Sequence, residues 1–216
     1  MIKLEKGEEP TVLRANAQTW LVDLKNAIAS GDKKDITNKT RKYNHQDIKD
    51  ALIAETSGKC CYCESDVRAV SHGDIEHIYP KSLDVEKTFE WDNLSFSCQL
   101  CNQYKSNKDP LFNNIIDPFN VNPKQYIMFV GAFINSFGTT EGRMTIHNLG
   151  LDRAPLFERR QEAFKGLILF LDLINGAKTE DDKKILIKDF EANELSRSKE
   201  FTAMRRDFWS AFKPQA

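Results

Sequence analysis

Four of the five cysteines in this 216-residue chain fall into two pairs with the same spacing. Cys60 and Cys63 form one CxxC pair, and Cys98 and Cys101 form the other. A CxxC turn brings two thiolates to one side of a tight knuckle, and two knuckles can supply the tetrahedral sulfur ligands that suit zinc. Cys61 lies inside the first knuckle and is not needed for this set. The pattern therefore predicts a structural four-cysteine zinc site.

Two disulfide bonds, or cysteines that are simply buried, are the alternatives to a metal site. We find no apolar signal segment at the N-terminus, and this favours a reducing, cytoplasmic environment in which disulfides are rare. No run of the sequence is apolar enough to predict a membrane span. We therefore expect a cytoplasmic protein whose paired cysteines bind zinc.

Several residues between and just after the cysteine pairs could take part in proton transfer or bind a metal ion. We expect His77, as a histidine, to be suited to taking a proton from water near neutral pH. Glu76 offers a carboxylate and Asn102 a carbonyl oxygen, which are ligands that Mg²⁺ or Mn²⁺ prefers. Taken singly, a histidine beside a strand is more often structural, and Asn102 would be a helix-start residue.

The elements around these residues predict a small α+β unit. Residues 74–79 alternate loosely and include two isoleucines, as a short strand does, whereas the polar run 84–88 indicates a loop. Residues 102–108 follow the second knuckle and could open a helix. The order knuckle, hairpin, loop, knuckle, helix resembles the treble-clef, or ββα-metal, fold.

The motif of this segment is similar to that of HNH endonucleases in their zinc-stabilised branch. It reads Glu76-His77-Ile78-x-Pro80-Lys81, then Asn93-Leu94, then Cys98-x-x-Cys101-Asn102-x-x-Lys105. The resemblance covers about 50 residues and has several independent positions in the right order.

The resemblance implies a role for each residue of the motif. His77 is the expected general base, Glu76 and Asn102 are the expected ligands of a catalytic Mg²⁺ or Mn²⁺, and Asn93 is expected to fix the loop that carries the base. Lys105 and Lys81 are assigned to nucleic-acid phosphates. Glu76 stands where the family more often has Asp or His, so the metal preference stays open.

The chain divides into three predicted regions: 1–58 with a short strand or docking arm and helices, 59–109 with the nuclease core, and 110–216 packed with that core. In the first region, 1–6 alternates like a strand, Gly31 ends a helix that begins near Thr11, and a second helix precedes the first knuckle. The basic stretch 32–43 is predicted to be a loop, either a solvated connector or a phosphate contact.

The last region is predicted to contain a β-hairpin followed by helices. Residues 126–137 and 143–149 are apolar enough for two strands, with 138–142 as the turn between them. Helical patterns then run over 155–174, from Thr179, and through a final segment rich in aromatic residues.

The charge of the chain is unusual for a protein that grips nucleic acid unaided. The formal net charge is −1, and residues 59–108 carry six basic against eight acidic side chains. Affinity for nucleic acid comes largely from neutralising phosphates. A partner that supplies positive charge is a natural inference, although a local basic patch would serve as well.

The sequence therefore predicts a metal-dependent HNH endonuclease that acts on DNA or on an RNA such as tRNA. The alternatives are a zinc-binding adaptor that has lost catalysis and a stand-alone restriction or homing enzyme, although the flanks lack a DNA-reading module. The whole layout also resembles the HNH subunits of Septu-type and retron-associated anti-phage systems. That resemblance implies a defence effector held in check by an ABC-class ATPase.

Overall fold

The computed structural model describes residues 1–69 and 71–214, and within them the chain forms eight α-helices and two antiparallel two-stranded sheets. The helices are α1 (Thr11–Ser30), α2 (Lys33–Thr40), α3 (Gln46–Thr56), α4 (Gln99–Lys105), α5 (Thr140–Asn148), α6 (Ala154–Asn175), α7 (Glu180–Asn193) and α8 (Thr202–Phe212). The strands are β1 (Asp74–His77) paired with β2 (Leu94–Ser97), and β3 (Met128–Val130) paired with β4 (Phe133–Asn135).

The nuclease core has the predicted order of elements. The first knuckle leads to β1, short 3₁₀ turns separate β1 from β2, and the second knuckle leads directly into α4. In the hairpin, Asp74 pairs with Ser97 and His77 with Leu94. The amide of Cys61 donates to the Phe96 carbonyl at 3.0 Å, so the first knuckle is fastened to β2. The treble-clef α+β prediction is confirmed.

The predicted N-terminal strand does not form. Residues 1–10 have no regular secondary structure, and the Leu4 amide donates to the Pro118 carbonyl at 2.9 Å without a continuing ladder. The segment packs as an arm, because the Lys6 amine donates to the Leu94 carbonyl at 2.9 Å and lies 3.8 Å from the centre of the Trp91 ring. This arm therefore supports β2 from outside the hairpin.

The basic stretch 32–43 is helical, although the sequence predicts a loop. Asp32 caps α2 by accepting from the amides of Lys34 and Asp35. Arg41–Tyr43 continue the chain as a 3₁₀ turn. The cap stabilises the start of this helix locally. Because α2 is highly charged and buries no residue, its sequence lacks the apolar periodicity by which a helix is predicted.

The prediction of a second hairpin strand at 143–149, with 138–142 as the turn, is wrong. The strands β3 and β4 lie within 128–135 and are joined by Gly131 and Ala132, and the φ of 59° at Gly131 suits a tight hairpin turn. Residues 140–148, predicted partly as a strand, form α5 instead. Thr139 accepts from the Gly142 amide at 3.1 Å, and the buried positions 142, 145 and 148 are three residues apart, which is a helical period.

The C-terminal helices pack against the zinc knuckle as well as against each other. The Lys59 amine donates to Thr202 Oγ1 at 2.8 Å and to the Lys199 carbonyl at 2.9 Å. Phe190 of α7 stacks on Trp209 of α8 with ring centres 4.3 Å apart, so the aromatic chain end is core. None of the helices in the described part of the chain is both long and apolar enough to cross a bilayer.

Candidate active site and zinc centre

The four paired cysteines meet in one cluster. The sulfur atoms of Cys60, Cys63, Cys98 and Cys101 all lie within 4.8 Å of one another, and those of Cys63 and Cys98 are 3.8 Å apart. Tetrahedral zinc with bonds of about 2.3 Å places its sulfur ligands a little under 4 Å apart, so this donor set fits zinc. Cys61 is buried but lies outside the cluster.

An arginine from far along the chain supports this cluster. The Arg153 guanidinium donates to Cys101 Sγ at 3.6 and 3.7 Å and to the Gly150 carbonyl at 2.8 Å. A cation that donates to a thiolate offsets the negative charge of a four-cysteine site. Sequence reasoning missed Arg153, because nothing local distinguishes it from a helix-start residue.

His77 lies at the end of β1 in a defined protonation state. Its Nε2 is 3.0 Å from the Thr88 carbonyl, and since a carbonyl can only accept, Nε2 carries the proton and Nδ1 keeps its lone pair. Burial and the charge of Lys81 lower the pKa of His77 to about 3, although the bond to Thr88 opposes that shift. The imidazole is therefore neutral at physiological pH, as a general base must be before it acts.

Asn93 fastens the loop that follows His77. Its side-chain oxygen accepts from the Tyr79 amide at 2.7 Å, and its Nδ2 donates to the carbonyls of Tyr79 and Lys87 at 3.0 and 2.9 Å. The Ile78 amide also donates to the Asn93 carbonyl at 2.9 Å. These bonds hold the segments on both sides of the loop at a fixed distance from the end of β1.

The two faces of the β1–β2 hairpin differ in chemistry. Directly paired residues of an antiparallel hairpin share a face. One face carries four polar side chains and the other carries His77 among apolar ones: Asp74, Glu76, Ser95 and Ser97 on the first, and Ile75, His77, Leu94 and Phe96 on the second. The hydroxyls of Ser95 and Ser97 are buried without a partner among the described residues, which leaves hydrogen-bonding capacity beside both carboxylates.

Glu76 is held firmly on the polar face. Its Oε1 accepts from the Lys105 amine at 2.7 Å and from the Tyr62 hydroxyl at 3.3 Å. Oε2 accepts no hydrogen bond from the described residues, so it is the oxygen available to a metal ion. Burial raises the pKa of Glu76, although Lys105 and Tyr62 act in the opposite direction.

Asn102 is oriented by a carboxylate that the sequence analysis did not select. Its Nδ2 donates to Asp74 Oδ2 at 2.9 Å. Because an ionised carboxylate only accepts, this bond fixes the amide and leaves Asn102 Oδ1 free as an acceptor. Asp74 stands two residues before Glu76 on one strand, and that period-2 spacing was the signal that could have identified it.

The oxygen donors on this face suit a hard divalent cation. Glu76 Oε2 and Asn102 Oδ1 are both free of hydrogen-bond donors from the described residues, and Mg²⁺ commonly takes one or two carboxylates while keeping several waters.

Comparison with known proteins bears on the same segment. Residues 60–108 match the family model of the HNH endonuclease. Residues 60–108 form an HNH endonuclease domain. The chain is also 27% identical over 237 residues to Septu protein PtuB of Bacillus mycoides (strain KBAB4), covering 94% of this chain and 79% of that protein. A shorter match, 36% identical over 75 residues, is to Septu protein PtuB of Bacillus thuringiensis and covers 32% of this chain and 29% of that protein.

The two lysines assigned to phosphates lie in different environments of the HNH domain. Lys105 is 1% exposed, and its amine donates to the His77 carbonyl at 2.7 Å as well as to Glu76. This burial does not suit a phosphate contact, and it suits a cation that holds the last two residues of β1 together. Lys81 is half-buried, and its amine lies 5.1 Å from the centre of the Tyr43 ring.

A cavity of about 450 Å³ adjoins the HNH site without including its chemistry. Ile78, Tyr79 and Asn93 line the side nearest the loop, and the cavity does not reach His77, Glu76 or Asn102. Its wall also carries four carboxylates and one amine: Glu90, Asp92, Asp117, Glu141 and Lys87. An anionic wall of this kind repels a phosphodiester backbone.

Proposed function

We propose that this protein is a metal-dependent endonuclease that hydrolyses phosphodiester bonds, and that it is the effector of an anti-phage defence complex with an ABC-class ATPase. The observation that carries the proposal is the neutral His77, whose Nε2 donates to Thr88 while Nδ1 has no hydrogen-bond partner among the described residues, within the segment that matches the HNH family. DNA is the first substrate expected, and tRNA is the second.

In the proposed reaction, water attacks the phosphorus atom as His77 Nδ1 accepts its proton. Glu76 and Asn102 would hold Mg²⁺ or Mn²⁺, and the ion when bound stabilises charge on the phosphate and on the leaving 3′ oxygen. Asn93 keeps the loop in place, and Lys105 keeps Glu76 and the His77 backbone in register. Because His77 ends β1, a phosphate lying across the strand end can meet groups from both faces of the hairpin.

The defence role is supported by the similarity to Septu protein PtuB of Bacillus mycoides over most of the chain. An overall charge of −1 also agrees with a nuclease whose substrate is delivered by another subunit. In this scheme the two metal sites have different functions. Zinc stabilises the fold, and Mg²⁺ or Mn²⁺ takes part in the reaction.

The test compares wild type with His77→Ala on plasmid DNA and on total tRNA, with Mg²⁺, Mn²⁺ or a chelator, alone and with an ABC-class ATPase if the locus encodes one. We expect His77→Ala to lower the cleavage rate by at least about 100-fold, because a general base contributes about that much. His72→Ala is the matched control, since His72 is an exposed histidine five residues away. Zinc content should stay the same in all three proteins.

Cleavage only in the presence of the ATPase would support the gated effector. Equal cleavage by wild type and His77→Ala would refute the choice of base. If no condition gives cleavage although zinc is bound and the protein is folded, the zinc-binding adaptor becomes the better account.

A further inference from the structure

The 3₁₀ turn Arg41–Tyr43 lies directly beside the proposed general base. The Tyr43 ring packs edge-on against the His77 imidazole with ring centres 4.6 Å apart and planes at 87°. His77 is only 4% exposed, so groups on and around this turn border the approach to it. The sequence analysis left this basic stretch open between a solvated connector and a phosphate contact.

Three cationic residues lie next to the tyrosine, two along the chain and one across from its ring. Arg41 and Lys42 precede it in the turn and are both exposed, and the Lys81 amine lies 5.1 Å from its ring centre. None of the three forms an ion pair or a side-chain hydrogen bond with the part of the chain that is described. Nearby Lys39 differs, because its amine is paired with Asp23 at 3.2 Å.

We propose that Arg41, Lys42 and Lys81 form a phosphate-binding surface around Tyr43, here called the Tyr43 patch, that holds the substrate's phosphodiester backbone next to His77. This inference rests on the proposed nuclease function and deepens it by assigning the substrate contact. Unpaired exposed cations are the groups that release counterions when they neutralise phosphates. The patch gives an acidic chain a local place to bind a polyanion.

The rest of the surroundings points in the same direction. Lys105 is buried on Glu76 and His77, so its charge is already committed inside the protein. The wall of the cavity lined by Ile78, Tyr79 and Asn93 carries four carboxylates against one amine, which repels a nucleic-acid backbone. Electrostatics therefore favour a nucleic-acid backbone that runs along the Tyr43 patch. Lys81 also helps to lower the pKa of His77, which agrees with its being close to the base.

The test is the double variant Arg41→Gln/Lys42→Gln, with Lys178→Gln/Lys188→Gln as the matched control. The control removes the same charge from two exposed positions, Lys178 after the end of α6 and Lys188 in α7. Both pairs are on the surface, so the thermal unfolding temperatures should equal that of wild type. Lys81→Gln is measured separately because Lys81 is half-buried.

Two readouts are used: cleavage kinetics, and fluorescence anisotropy of labelled duplex DNA, single-stranded DNA and tRNA over a range of salt concentrations. Loss of backbone contacts raises KM and leaves kcat unchanged. For duplex DNA, the slope of log K against log salt should become shallower by about two for the patch variant, about one for each lost contact. The control should match wild type in both readouts.

Unchanged KM and unchanged salt slope in the patch variant would overturn the proposal, as would an equal loss in the control variant, which indicates a bulk charge effect. Wild type that binds with a patch-dependent salt slope but never cleaves would support the patch and refute the nuclease function. Wild type that binds no nucleic acid would overturn the patch. The nucleic acid with the steepest patch-dependent slope identifies the preferred substrate class.

Discussion

At the scale of single residues, the proposed active site contains polar side chains that orient the residues to which we assign the reaction. Asp74 accepts from Asn102 at 2.9 Å, and Lys105 donates to both Glu76 and the backbone of His77. Asn102 and Lys105 are three residues apart on α4, while Asp74 and Glu76 are two apart on β1. Both spacings place the two side chains on one face of their element. Asn102 can therefore donate to Asp74 while Lys105 donates to Glu76.

Replacing Asp74 with Asn should disturb the metal site without disturbing the fold. The new amide can donate to Asn102 and turn its oxygen away from the ion, and the loss of an orienting partner costs about 10- to 100-fold in metal affinity or activity. Cleavage as a function of Mg²⁺ and Mn²⁺ concentration measures this, and the half-saturating concentration should rise. Asp92→Asn, at an exposed position, is the control. An unchanged metal requirement would remove Asp74 from the site.

Replacing Lys105 with Met should destabilise the protein strongly. Glu76 would remain buried with its charge unpaired, and breaking a buried ion pair from one side costs about 3–5 kcal/mol in the free energy of unfolding. The double variant Lys105→Met/Glu76→Gln should recover much of this loss, because the carboxylate is gone as well. Urea unfolding checks both. If Lys105→Met were as stable as wild type, the amine would not be committed to Glu76.

The low pKa of His77 makes stability depend on pH. The folded pKa is about 3, whereas an unfolded histidine titrates near 6.5, so the unfolded state binds the extra proton between those values. The contribution of His77 to stability is complete above pH 6.5 and falls as the pH drops, by at most about 1.4 kcal/mol per pH unit. Urea unfolding of wild type and His77→Gln from pH 7.5 to 5.5 should show the steeper loss in wild type. Parallel curves would contradict this.

At the scale of elements, the nuclease core followed from the sequence much more closely than the flanks did. The cysteine spacing and the order of the motif identify the knuckles, β1, β2 and α4, because metal ligation leaves few ways to join them. The sequence predicts a strand where α5 forms, because the buried positions of α5 are polar or small and show no apolar helical period. The helix α2 buries no residue, so only the Asp32 cap indicates it. Contacts between distant segments, such as Arg153 with Cys101, leave no local pattern.

The contact from Arg153 to the zinc cluster predicts how tightly the metal is held. Arg153→Met should increase the rate at which a chromophoric chelator removes zinc, and supporting partners of a metal ligand are typically worth about 10- to 100-fold in affinity. Arg159→Met is the control, since its guanidinium pairs with Glu200 on the surface and touches no cysteine. Equal zinc loss from both variants would mean that the Arg153 contact adds nothing to the site.

At the scale of the whole molecule, the zinc knuckle joins all three regions of the chain. The Lys59 amine donates a hydrogen bond to Thr202 at the start of α8, and the Asp66 amide donates to Glu200 at 2.7 Å. The Cys61 amide donates to the Phe96 carbonyl of β2. The N-terminal arm reaches the same hairpin through Lys6. A structure connected in this way is expected to lose its order together when the knuckle opens.

Zinc removal should therefore release α8 and not the nuclease core alone. Cys98 caps α4 through its sulfur, so without the metal both knuckles and that cap lose their geometry. Lys59, which precedes the first knuckle, is then no longer held in position to donate to Thr202. Hydrogen exchange of protein with and without a zinc chelator should show faster exchange in α4 and in α8 at the same time, and Cys98→Ala should behave like the chelated protein. A magnesium-selective depletion should stop cleavage without changing exchange in either helix. Loss of protection confined to residues 60–105 would mean that the core unfolds independently of the C-terminal helices.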